Sequence, residues 1–515
     1  MKSTLAFLIS LSRLEIGPFF FCCERYFWCD EHWSLGGPML FYCGNEADVA
    51  LYVNATGAMY TAARELGAVL VFAEHRFYGQ SQPFAGNDDK ERPHREHLSA
   101  AQALSDYARL IEALRAGASQ AVVAYGGSYG GMLATWLRAK YPHVVAGAVA
   151  GSAPVLAFTG QHARGALAFA ARVTDTAARY GACADNVRRA WAPLFRLGGS
   201  DGGRAALARH LRLCTAPDSA AAVDDVALWL QDAWGTLAMG NYPWPSAYMT
   251  NGGGVLPAWP MQCACAPLSD PILPAATPDA GGDDTTSNSA HVQDWEAQLL
   301  EGLAHAAGVL YNATGTVPCF DAGAGPNPET DADLTGWGYQ ACTEMWVPCA
   351  TDGVTDMFWD APWDDERERA KCADQYGVAP WWDWAAIEFG GKCCLMAAAA
   401  ADRYYAALWW DWAAIEVGGK RLKSLSNVVF TNGDMDPWGP LGVLPGDPGI
   451  NEDSVTRCQT ILLPDAAHHL DLMWPQPSDS AAVTGARAQT LRKVTQWVMG
   501  WAPEGESPTS AAEAA

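Results

Sequence analysis

The sequence predicts an α/β protein in which a mainly parallel sheet, wrapped by helices, is interrupted by a large helical insert. Three observations carry this prediction. In the first part of the chain, short apolar runs alternate with stretches of helical spacing in strand–helix order. From about Ala153 to Ser424 the pattern changes to Ala-rich helical segments joined by loops rich in Pro, Trp and Cys. Beyond Ser424 the strand-like runs return.

Taken in order, Met39 to Cys43 and Val69 to Ala73 read as strands, with a helix from Ala55 to Glu65 between them. Leu98 to Arg115 carries Leu, Ala and Tyr at helical spacing, and the apolar run 121–124 follows. A Gly/Ser turn leads into a helix through Met132, Leu133, Trp136 and Leu137, and Val144 to Ala150 reads as the next strand. Within the insert, the polar stretch 271–290 is expected to be a flexible loop. Strands are expected at 428–430 and 460–463, and a helix from Ala481 to Trp501 closes the fold before a disordered tail, 502–515. The expected organisation is therefore a catalytic domain from 25–152 and 425–501, split by a helical insert from 153–424. A block from Trp381 to Lys392 recurs at Trp409 to Lys420 with Val417 for Phe389. Two copies are too few for a solenoid, so a local duplication or a gene-prediction artefact explains them better. Residues 1–24 read as a signal segment or a misassigned start, because the apolar core Leu5 to Leu11 lacks a clean cleavage site.

At 515 residues the chain exceeds what one hydrophobic core usually fills. With 50% hydrophobic and 17% charged residues, it has the composition of a folded globular protein. The formal net charge of -24 repels a phosphate backbone, so nucleic acid is a poor partner. That charge fits either a solubilising surface or service in an acidic compartment. No stretch reaches the ~18 uncharged apolar residues of a membrane span. The 15 Cys suit an oxidising compartment, and their odd number leaves at least one without a partner. None has zinc spacing, so disulfides are expected rather than a metal, and no cofactor is expected. Sequons at Asn54 and Asn312 point to the same compartment.

The chemistry centres on Gly126-Gly127-Ser128-Tyr129-Gly130, between a short strand and a helix. Small flanking residues let a strained turn lift the hydroxyl out of the sheet, the nucleophile elbow of the α/β-hydrolase fold, with the insert as its helical cap. The Tyr129 backbone N–H would then face a developing oxyanion. A serine hydroxyl needs a base, and in this fold an acid and a His follow in that order. Asn432-Gly433-Asp434-Met435-Asp436-Pro437-Trp438 and Ala467-His468-His469-Leu470-Asp471 supply both, each after a strand pattern.

These segments, with Gly36 to Glu46, Val71 to Gly79, Leu256 to Pro260 and Gly336 to Met345, resemble the prolyl carboxypeptidase and dipeptidyl peptidase II family of serine peptidases. The resemblance runs from about Arg25 to Trp501. It implies Ser128 as nucleophile, Asp436 rather than Asp434 as the orienting acid, and His468 rather than His469 as the base. Met132 and Trp438 would line a small apolar pocket for proline, with Glu46 and Met345 beside it, although core packing explains Met132 and Trp438 as well. The implied substrate is a short peptide with proline near a chain end, and the implied setting is the secretory pathway, lysosome, vacuole or exterior. Family members are often dimers, so a homodimer is an expectation too. Carboxyl-end and amino-end cleavage both stay open. Glu46 or Glu344 would hold an amine in the second case, or either is a structural carboxylate. An esterase or lipase, and an inactive binding protein, are the readings from other classes. The chain departs from the family in three places. A strand-forming segment before Arg25 is missing or replaced, Met473 stands where an Arg usually follows His-His-Leu-Asp-Leu, and the repeated Trp block is extra.

Overall fold

The computed structural model describes residues 24–83, 95–158, 165–274, 291–322, 331–381, 425–447 and 458–501, with the side chains of 331–335 left out. The start of the chain, most of the polar stretch 271–290, the tail, and the duplicated block apart from Trp381 lie outside the described residues.

A seven-stranded sheet forms the centre. Its strands are β1 (Tyr26–Cys29), β2 (Met39–Cys43), β3 (Val69–Ala73), β4 (Val122–Gly127), β5 (Gly147–Gly151), β8 (Val428–Gly433) and β9 (Gln459–Leu463), in the order β1-β3-β2-β4-β5-β8-β9. A separate two-stranded ribbon pairs β6 (Thr351–Asp352) with β7 (Asp360–Ala361). Only the edge strand β1 runs antiparallel to its neighbour, and every other pairing in the large sheet is parallel. Parallel strands are covered on both faces, so they read as unbroken apolar runs; β2, β3, β4, β5 and β8 are buried throughout. Successive side chains go to opposite faces. Met39, Phe41, Val69, Val71, Val122 and Ala124 enter one core, while Leu40, Tyr42, Leu70, Phe72, Val123 and Tyr125 enter the other.

Helices α1 (Val49–Ala55) and α2 (Gly57–Leu66) and the closing helix Ala481–Met499 cover the second of these faces. The first is covered by α3 (Ala100–Arg115) and α4 (Tyr129–Lys140). Ser99 starts α3, its hydroxyl accepting the Gln102 N–H, and Ser480 does the same for Val483 in the closing helix.

Between β5 and β8 come α5 (Ala168–Ala177), α6 (Cys183–Gly198), α7 (Asp201–His210), α8 (Ala220–Met239), α9 (Pro260–Cys265), α10 (Asp294–Tyr311), α11 (Asp331–Thr343) and α12 (Asp365–Tyr376). The first six, α5 to α10, build a core of their own around Trp191, Trp234, Leu299 and Leu303. Three disulfides join Cys183 to Cys265, Cys214 to Cys319 and Cys342 to Cys372, all within this stretch. Among the described residues, Cys29, Cys43, Cys263, Cys349 and Cys458 are free. No described helix is long and apolar enough to cross a membrane. Asn54 is exposed in α1, and Asn312 is half-buried at the end of α10, where its Oδ1 accepts the Val317 N–H.

Candidate active site

The turn between β4 and α4 is as tight as the glycine pattern requires. A Cβ on Gly126 would lie 2.0 Å from the Gly130 carbonyl oxygen, and one on Gly130 would lie 2.7 Å from that of Cys43. Ser128 sits between them at φ 58°, ψ -130°, a conformation L-residues adopt only under constraint. Its N–H donates to the Gly151 carbonyl at 2.8 Å, which pins the turn to the neighbouring strand. Ser128 is partly exposed while Gly127 and Tyr129 beside it are buried. Tyr129 opens α4, so its N–H has no partner within the helix and adds to the positive end of the helix dipole.

Asp436 lies in the turn after β8, fully buried, and its Oδ1 accepts the Trp438 N–H at 3.0 Å. His468 follows β9, and its Nδ1 lies 3.0 and 2.9 Å from the two Asp436 carboxylate oxygens. A carboxylate only accepts, so Nδ1 carries the proton and the Nε2 lone pair of the neutral ring is left free. The insert holds this loop in place. The His468 N–H donates to the Met239 carbonyl at the end of α8, and the Tyr242 hydroxyl donates to the His468 carbonyl.

His469 is placed differently. Its backbone N–H donates to Ser152 Oγ at 2.7 Å, and its ring packs against Gly127, where a Cβ would come within 2.8 Å of the ring, and edge-on to Tyr248. Neither ring nitrogen has a hydrogen-bond partner among the described residues. Burial, then the neighbouring His468, holds its pKa well below that of an ordinary His. At the position of the missing Arg, Met473 is buried. The loop is instead braced by Arg487 of the closing helix, which donates to the carbonyls of Leu470, Asp471 and Met473 and pairs with Asp479. Nothing in the local sequence around Arg487 signals this.

The other candidates divide into two groups. Met132 and Met345 enter one buried cluster with Tyr129, Val155 and Phe158. Trp438 is half-buried, its Nε1 directed at Met239 Sδ and its ring edge-on to Phe169 of the insert. Glu46 follows β2. Burial raises its carboxyl pKa, opposed by its own N–H, the Asn45 side chain and the nearby His468, and its Oε2 has no partner. Glu344 is occupied elsewhere, accepting the Ala100 N–H at 2.8 Å and Gln340 Nε2 at 2.6 Å, with burial pushing it up to about 7. Among the described residues no group of His, Cys, Asp or Glu is placed to hold a metal ion.

His75 joins Glu344 in one buried network through Tyr129 and Gln340, and burial holds it down at about 4. The linkage has opposite signs at the two ends. Below the ordinary His value of 6.5 the unfolded chain takes up a proton that folded His75 refuses, so stability falls as the pH drops towards about 4. Above the ordinary Glu value of 4.5 the unfolded chain releases a proton that folded Glu344 keeps, so stability falls as the pH rises towards about 7. In the shared window the two slopes, each about 1.4 kcal/mol per pH unit, cancel. Glu344→Gln is therefore expected to expose the His75 slope, with a urea midpoint that falls more steeply than wild type as the pH is lowered through that window. Parallel curves for the two proteins would refute the coupling.

Residues 20–380 and 392–490 match the family model for serine carboxypeptidase S28. The chain is 34% identical to the lysosomal Pro-X carboxypeptidases of Mus musculus and Homo sapiens, with 92% of this chain covered and 85% and 84% of theirs. It is 26% identical to the thymus-specific serine protease of Mus musculus, over 92% of this chain and 83% of that one. A solved proline iminopeptidase from Mycobacterium smegmatis aligns with a TM-score of 0.34 at 12% identity, covering 94% of this chain and 97% of that one, too distant a likeness to add to the argument. Elbow, sheet order and kinship agree, and the chain belongs to the serine carboxypeptidase S28 family as a serine-type peptidase of the α/β-hydrolase fold.

Proposed function

We propose that this protein removes a C-terminal residue from short peptides that carry proline before it, with Ser128, His468 and Asp436 as its catalytic triad. The observation that carries the reading is His468 Nδ1 bonded to both oxygens of buried Asp436, on the loop that seats His469 against the elbow of Ser128. His468 Nε2 takes the Ser128 proton as Oγ attacks the carbonyl carbon, and Asp436 stabilises the resulting imidazolium. The oxyanion is met by the Tyr129 N–H and by a second N–H from the loop after β2, at Asn45 or Glu46, since β2 lies beside β4 and this is the strand end from which the fold draws its second donor. His468 then gives its proton to the leaving amine, the acyl-enzyme is hydrolysed by water along the same path, and the serine is regenerated. Met132 and Met345, with Trp438 beyond Asp436, are the apolar side chains that would receive the proline ring.

The second reading, cleavage of dipeptides from the amino end, is supported by Glu46, whose unpartnered carboxylate oxygen lies within electrostatic reach of His468 and suits an ammonium. Kinship and disulfides support a lysosomal or secreted location, with glycans at Asn54 and Asn312. A panel of substrates separates the readings. A blocked peptide ending Pro-Phe is expected to release Phe, while Ala-Pro and Lys-Pro chromogenic amides and a simple ester are turned over poorly. Release from the amides alone would shift the assignment to the second reading, and turnover of the ester alone would overturn both.

A further inference from the structure

We propose that Gln340, in α11 of the insert, is a positioning residue for the oxyanion hole, acting through the hydroxyl of Tyr129. The inference rests on the reading of Ser128 as nucleophile and the Tyr129 N–H as oxyanion donor. Its starting point is a buried chain of hydrogen bonds that runs from His75 through Tyr129 and Gln340 to Glu344. The Arg76 carbonyl lies 2.7 Å from His75 Nδ1 and can only accept, so Nδ1 carries the proton. In the neutral ring His75 Nε2 then accepts, and the Tyr129 hydroxyl 3.1 Å away must donate to it. With its proton committed, that hydroxyl accepts from Gln340 Nε2 at 2.6 Å. The second Nε2 proton goes to Glu344 Oε1 at 2.6 Å, and Gln340 Oε1 accepts from the Tyr78 hydroxyl at 2.8 Å. Turning the amide over would set its oxygen against the lone pairs of the Tyr129 hydroxyl, whose proton is committed to His75, so that hydroxyl selects the orientation.

Gln340 is fully buried, and Trp337, one turn earlier in α11, tilts against the Tyr129 ring at 5.3 Å. The insert therefore grips the side chain of the residue whose backbone N–H the reaction uses. Met345, just past the end of α11, enters the same buried cluster as Met132. One element thus sets both the oxyanion donor and a wall of the proposed proline site.

The test is a double-mutant cycle on the full chain, with kcat and KM measured on the blocked Pro-Phe peptide, the rate of fluorophosphonate labelling, and thermal midpoints. Gln340→Met keeps the volume and removes both donors, and Tyr129→Phe removes one oxygen. Each is expected to lower kcat and the labelling rate roughly tenfold, the value of one lost hydrogen bond in a buried network, with KM within about twofold of wild type. The double variant is expected to be no slower than the worse single one, because both remove the same link. Losses that multiply, or a Gln340→Met enzyme with wild-type kcat, would overturn the proposal. Should Gln340→Met fail to fold, Tyr129→Phe decides alone, and wild-type kcat in that variant rejects the idea. Failure of the underlying reading looks different, since wild-type protein would then not be labelled at Ser128 at all.

Discussion

Ser128→Ala is expected to abolish hydrolysis of the Pro-Phe peptide and all fluorophosphonate labelling, with the thermal midpoint unchanged. The loss is large because no other group can form the acyl-enzyme; losses of roughly 10⁴-fold or more accompany removal of a triad nucleophile. The fold should not register the change. Alanine keeps the Cβ, so the positive φ of the elbow costs no more than it does with serine, and the backbone N–H still reaches the Gly151 carbonyl. Mass spectrometry of the labelled wild-type peptide would identify the serine directly, and a label elsewhere would remove Ser128 from the site.

The second large effect separates two adjacent histidines. His468→Ala is expected to cost at least about 10³-fold in kcat with little change in KM, because it removes the group proposed to take and return the proton. His469→Ala acts by another route. Its ring is fully buried beside Gly127 and makes no hydrogen bond among the described residues, so its removal leaves a cavity and costs stability of about 2–4 kcal/mol, with a much smaller loss of kcat. Urea denaturation together with single-turnover kinetics reads both quantities. Equal kinetic losses for the two variants would show that the contact with Asp436 does not decide which ring is the base.

The strands of the sheet were legible because parallel strands covered on both faces leave unbroken apolar runs, as in Met39–Cys43 and Val69–Ala73. Their ends were less so. Val144, Val145 and Ala146 extend the apolar run before β5 but belong to the approach, with the N–H groups of Val144 and Val145 turned back to Tyr141. The expected strand 428–430 stops short, since Thr431, Asn432 and Gly433 continue β8 and pair with Ile461, Leu462 and Leu463 of the edge strand β9. The helix expected from Ala55 to Glu65 is α2, Gly57–Leu66, and the short α1, Val49–Ala55, precedes it without having been expected. β1 carried no clear signal, being a half-buried edge strand. At the site, Ser128, Asp436 and His468 are proposed from motif order and resemblance, which point to short local turns. Gln340, Arg487 and Tyr242 are not, because each acts on a residue far away in sequence, and a helical residue gives no local sign of what its far face will touch.

The position of β8 and β9 at the end of the chain has a consequence during synthesis. The strained elbow belongs to the early strands, but the proposed acid and base leave the ribosome only after the whole disulfide-bonded insert has been threaded out. A partly made chain thus carries a serine hydroxyl without the proposed acid and base that would activate it. On that reading chain order alone delays proteolytic competence until translation is nearly complete.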